Sequence, residues 1–296
     1  MPSATTNPAE DTEARSRRGG YLDERTRGSL NPRQAQDAGV RASRATRQRA
    51  LKVARALLGL ALVAAVWQLA PSAGWVDPHF VSPLSDVLKT WWQMARDGEM
   101  WRQTSASLVR IGLGFGLAVV IGIPLGTVIA WYRSIREVTT PILEIFRNTA
   151  PLALLPVFML TLGIGETSKI VIVCYACLFP ILLNTVSGVS QVDQQLLRSA
   201  RVLGLKPIAT FRKVVLPAAL PTIFTGIRLA GAAAVLVLIA AEMVGATAGL
   251  GYYINYAQMN YQIPQMYAAI LTTSVLGLIV NYTLVGLERH FSRWRA

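Results

Sequence analysis

Apolar residues fall into long runs along this chain, and polar residues gather in the gaps between them. About 20 consecutive apolar residues are needed for a helix to cross the hydrocarbon core of a bilayer. Six runs reach about that length, at 53–70, 108–131, 141–162, 170–189, 218–241 and 267–287. The pattern predicts an all-α, polytopic membrane protein with six transmembrane helices. Residues 51–296 would form the transmembrane domain, and 1–50, rich in Arg, Ser, Gln and Ala, a disordered basic cytoplasmic tail. Between the first two runs, Ser82 followed by Pro83 marks a helix start. Trp91, Trp92 and Trp101 suit a helix at the membrane surface, or an aromatic binding platform.

Composition agrees with the pattern: 52% of residues are hydrophobic and 15% charged. That excludes an ordinary soluble domain. The net charge of +13 would suit nucleic acid, but the basic residues lie in tails and loops beside apolar runs rather than on an aromatic-interleaved domain. Lipid headgroups are the expected partner, and nucleic acid is not. About a dozen Lys and Arg precede Arg55, and more lie in "WYRSIRE", in 190–217 and in "ERHFSRWRA". The connector 245–265 has none. Six crossings put all four basic regions on one side, which the positive-inside rule makes cytoplasmic, with both termini there.

Little in the chain points to catalysis. Cys174 and Cys177 form a lone CxxC inside an apolar run, and read as small packing residues. His79 and His290 are far apart, and neither metal-ligand spacing nor a phosphate loop occurs. No enzyme activity, metal or cofactor is expected, so active transport would draw energy from another subunit. Gly112, Gly116, Gly122 and Gly126 fall within roughly 120° of one another and predict a helix-packing stripe.

Charged groups inside apolar sequence are costly and usually face protein or a water-filled path. Glu144 and Arg147 share a helical face beside Asn148, and Pro151 and Pro156 interrupt that span. They read either as a structural ion pair or as the lining of a translocation path. Arg228 and Glu242 are the other candidates, and Glu242 would either line a gate or hold the outer loop.

The stretch 190–217 reads as two short amphipathic helices. The first ends at Gly204, the second opens at Pro207, and Leu216 with Pro217 stops it. Its basic residues are left for water or an acidic partner. A rigid knob for docking a partner protein results.

This loop, with "VVLPAALP" after it, resembles the signature loop of binding-protein-dependent ABC importer permeases. "PLALLPVFMLTLGIGETSKI", "TGIRLA", "AEMVGATAGLGYYI" and "LERHFSRW" resemble the nitrate, sulfonate and taurine branch of that family. The resemblance implies a type I importer permease in the inner membrane that moves a small anion such as an aliphatic sulfonate, taurine or nitrate. A neutral vitamin-precursor-like solute is the alternative within the family, and an ion-coupled secondary transporter the alternative outside it. The implied partners are a cytoplasmic ABC ATPase dimer, an extracytoplasmic solute-binding protein and a second permease copy. The resemblance also makes the loop an ATPase-coupling element. Ser199, Ala200, Gly204, Leu216 and Pro217 match its motif, while Arg198 stands where the family has an acid.

Overall fold

The computed structural model describes residues 51, 54–77 and 80–291. The expected tail at 1–50 and His79 lie outside the described residues. The chain divides into two compact units, one ending at Val66 and one beginning at Trp67. Helix α1 (Ala54–Ser72) starts in the first and ends in the second.

The second unit continues with α2 (Leu84–Arg96), α3 (Glu99–Trp131) and α4 (Arg133–Asn148). A 3₁₀ turn (Pro151–Leu154) leads to α5 (Leu155–Leu162), followed by α6 (Glu166–Ser190) and α7 (Gln194–Val202). Then come α8 (Pro207–Thr210), a π-helical segment (Phe211–Val215), α9 (Leu216–Glu242), α10 (Leu250–Met259) and α11 (Ile263–Phe291). Among the described residues, five helices are long and apolar enough to cross a membrane, or six if α4 and the segment Pro151–Leu162 form one bent span.

Helix α6 lies between α3 and α9 and packs extensively against both. Glycines allow this close approach. A Cβ on Gly114 or Gly126 would stand 2.8 Å from the carbonyl oxygens of Ile170 and Leu182 on α6, and one on Gly226 2.7 Å from that of Pro180. The expected stripe is therefore only half right. Gly122 and Gly126 face α6 in company with Gly114, whereas Gly112 and Gly116 meet nothing within 4 Å. A stripe spread over roughly 120° is too wide for one helix contact, and the α3–α6 seam follows the other edge of it.

Two local expectations also change. Pro83, not Ser82, holds the N-cap position of α2, without a side-chain cap. The Ser82 carbonyl instead accepts a hydrogen bond from Trp67 Nε1 at 3.2 Å. The second helix of the loop does not stop at Leu216–Pro217; Pro207–Glu242 is one continuous 36-residue helix. A regular α-turn would press the Pro217 ring against the Lys213 carbonyl. The π segment, in which the Leu216 N–H reaches Phe211 O, widens that turn and lets the helix pass.

Candidate functional site

Three polar regions sit at different heights on the α3–α6–α9 scaffold. At one end is the loop hairpin. The Asp193 carboxylate accepts the Gln195 N–H at 2.8 Å and starts α7. At the other end of α7, Leu205 N–H donates to Ala200 O at 3.1 Å and Gly204 N–H to Arg201 O at 3.0 Å. Gly204 has φ +70°, the left-handed value that this helix-ending turn requires. Ala200 is buried, Arg198 and Ser199 are exposed, and Leu216 and Pro217 are half-buried at the start of α9. Val192 and Leu197 pack with Val189 of α6, Ala130 of α3 and Val215 and Ala219. The hairpin is thus fastened to all three scaffold helices. Its tip is apolar, with Val202 88% and Leu203 77% exposed.

Midway along the scaffold the chain breaks. Helix α4 and the segment Pro151–Leu162 meet at 86°. Proline drives its predecessor out of the helical region, and Ala150 has ψ 119°. Pro156 does not interrupt anything, because it lies in the first turn of α5, where its missing N–H has no partner to lose. No residue of α4 is buried. The helix touches α6 where Phe146 stacks on Phe179, with ring centroids 6.2 Å apart, and where Tyr175 OH donates to Phe146 O at 3.0 Å. Glu144, Arg147 and Asn148 fall at this break. Arg147 and Glu144 are 3.9 Å apart and half-exposed. Asn148 Nδ2 donates to the Glu144 carbonyl at 2.8 Å.

Arg228 and Glu242 do not join them. Arg228 pairs at 3.5 Å with Glu288, bridging α9 and α11. Glu242 ends α9 in a buried network at the opposite end from the hairpin. Arg110 Nη1 donates to Glu242 Oε1 at 2.6 Å and to Ala248 O at 2.6 Å. The same guanidinium forms a two-pronged bond to Glu166 of α6, with Nη2 2.6 Å from Oε1. Arg110 is 2% and Glu242 0% exposed. Lys169 Nζ donates to the carbonyls of Gly165 and Gly245 at 3.0 and 3.2 Å.

This network caps α10. Helix N-termini carry unsatisfied N–H groups, and here three successive ones find side chains from other helices. Gly249 N–H donates to Gln103 Oε1 at 2.7 Å, Leu250 N–H to Ser107 Oγ at 2.9 Å and Gly251 N–H to Glu242 Oε2 at 2.9 Å. Ser107 in turn donates to the Glu242 carboxylate at 2.9 Å. Gly249 has φ +118°, and a Cβ there would strike Glu242 and Arg110. Glu242 thereby contacts Ser107 and Arg110 of α3 and the Gly251 N–H of α10.

Sequence reading missed Gln103, Ser107, Arg110, Glu166 and Lys169. The available signal was spacing: Gln103, Ser107 and Arg110 stand at i, i+4 and i+7, one face of a helix entering an apolar run.

Residues 119–294 match the family described as binding-protein-dependent transport system inner membrane component. An Escherichia coli (strain K12) protein named as an aliphatic sulfonates transport permease is 35% identical over 244 residues, covering 82% of this chain and 92% of that relative. The taurine transport system permease protein of the same strain is 32% identical over 240 residues, covering 79% and 87%. In fold, the chain is similar to a methionine ABC transporter in an inward-facing conformation. The TM-score is 0.56 at 22% identity, over 64% of this chain and 94% of that one.

Proposed function

We propose, for a chain that belongs to the family of binding-protein-dependent transport system inner membrane components, that it carries a small anion, with an aliphatic sulfonate or taurine first, across the inner membrane. The chain is an ABC importer permease subunit, a transport component whose ATP hydrolysis falls to a separate subunit. Membership sets aside the ion-coupled secondary transporter. Within the family, a neutral vitamin-precursor-like solute ranks behind the anion. Two relatives of matching length are named for sulfonates and taurine, and Arg147 offers a half-exposed cation at the helix break.

The remaining parts of the reading follow from placement. Two copies of this chain pair, with both termini cytoplasmic and α4 turned to the shared path, since none of its residues is buried within one copy. Glu144, Arg147 and Asn148 line that path at the break, where broken helices place polar groups at membrane depth. Arg228 and Glu242 brace the walls. Arg198, Ser199, Ala200, Gly204, Leu216 and Pro217 belong to the ATPase-coupling hairpin. What carries this assignment is a hairpin packed on three long helices while presenting an apolar tip. A push on such a tip moves helices rather than a slack loop.

Gly204→Pro tests it, because proline cannot adopt φ +70° and removes the N–H that bonds Arg201 O. Co-expressed with its ATPase and binding protein, the variant is expected to fold in the membrane but to lose ATPase capture. Capture at wild-type stoichiometry would overturn the coupling role. With the wild-type complex, taurine-loaded or sulfonate-loaded binding protein is expected to raise ATP turnover. Stimulation by neutral solutes alone would reverse the substrate assignment. Arg198 replaces an expected acid, so an ATPase from a relative that keeps the acid is expected to couple poorly.

A further inference from the structure

The end of α3 that meets the hairpin carries a groove of about 360 Å³ between Val128, Trp131 and Tyr132 on one side and Ile208 and Phe211 on the other. Trp131 and Phe211, both in its lining, meet edge to face with centroids 5.5 Å apart. Ile208 is shared with a second hollow of about 560 Å³, lined also by Lys206, Arg212 and Lys213. These three cations are exposed, and among the described residues none has a carboxylate within ion-pair distance. Residues Glu99–Trp131 form a membrane-spanning candidate, and the groove lies at its C-terminal end. An apolar aromatic slot at the end of a membrane-spanning candidate thus adjoins, through Ile208, a hollow lined by three exposed cations.

We infer that the joined hollows are a seat for one anionic phospholipid. Its phosphate lies among Lys206, Arg212 and Lys213, and an acyl chain lies along Trp131 and Phe211. Both halves of the argument are needed. Cations alone would equally suit an acidic protein surface, and an apolar slot alone would take any lipid. Together they select a molecule with an anionic head and an apolar tail, which is how basic pockets between membrane helices recognise acidic lipids. The position also separates this seat from the hairpin tip. Val202 and Leu203 precede the Gly204 turn, whereas the three cations follow it and adjoin the end of a span. A lipid held here would contact α3 and the Pro207–Glu242 helix at once, next to the π segment.

The test uses the complete complex in nanodiscs of mixed phosphatidylcholine and phosphatidylglycerol, with retained lipid read by native mass spectrometry. Wild type is expected to keep phosphatidylglycerol in preference to phosphatidylcholine. In a Lys206→Gln, Arg212→Gln, Lys213→Gln variant that preference is expected to fall on the order of 100-fold, about fivefold per cation. Ile208→Trp keeps the cations and fills the passage, so it is expected to lower retention of both lipids even if the triple variant does not assemble. Arg133→Gln, a cation at the same end outside the hollow, is expected to change nothing. Unchanged preference in the triple variant, or unchanged retention in Ile208→Trp, would overturn the seat. Lysine cross-links from Lys206 and Lys213 to the ATPase, with ATPase capture lost and lipid retention intact, would assign the cations to the protein partner instead.

Discussion

Removing the Arg110 guanidinium would strand two carboxylates at once, the fully buried Glu242 and the Glu166 of α6. Leaving a buried charge without its partner costs about 3–5 kcal/mol. Arg110→Met is therefore expected to lower the thermal midpoint of the purified chain far more than Ser107→Ala. The latter leaves only the Leu250 N–H and one carboxylate bond unmet, about 1–3 kcal/mol. Midpoints unchanged from wild type in both variants, followed by intrinsic fluorescence in detergent, would mean that the network does not bear on stability. Glu242 was legible in the sequence because it is a lone acid in an apolar run. Arg110 was not, because it sits two residues after an apolar run begins, where basic residues ordinarily reach back to the interface. Its partners are 56 and 132 residues away, a relation that no local pattern carries.

The helices themselves were readable, and their contacts were less so. Run lengths located the long helices, and Pro151 marked the place where α4 ends and the chain turns. What the pattern could not give was which face of α3 meets α6, since an apolar helix in lipid has little polar stripe to orient it. Glycine spacing pointed to a stripe roughly 120° wide, and the seam takes one edge of it, with Gly114 beyond. Gly126→Ala is expected to destabilise by about 1–3 kcal/mol, because its Cβ would press on the Leu182 carbonyl and on Thr185. Gly116→Ala, with open space around it, is expected to be neutral or to stabilise by up to about 1 kcal/mol through helix propensity. The comparison is made on the single detergent-solubilised chain, and a reversed order would place the seam on the face carrying Gly112 and Gly116. The π segment was illegible for a different reason: Pro217 reads as a helix end, whereas the helix continues through it after a widened turn.

At the scale of the molecule, α3, α6 and α9 are meshed through glycines along their length and tied at one end by the Arg110 network and at the other by the hairpin cluster. The extended pair Thr149–Ala150 and the exposed α4 are where the chain can yield. Native-state hydrogen exchange is expected to protect α6 amides most and those flanking Thr149 least. Uniform protection would argue against a hinge there. Orientation is tested by Tyr261→Cys, which lies exposed between α10 and α11. A membrane-impermeant maleimide is expected to label it in intact cells, and labelling only after lysis would invert the topology.

The ionic network also bears on how this sequence can drift. Two cationic residues, Arg110 and Lys169, and two acidic ones, Glu166 and Glu242, interact in one place, and their formal charges cancel. A change that reverses the sign of Arg110 or Glu242 leaves an unbalanced charge on a buried side chain. A lineage can exchange the network only by paired changes in helices distant along the gene, so this corner of the molecule should evolve in rare joint steps while the loops around it wander freely.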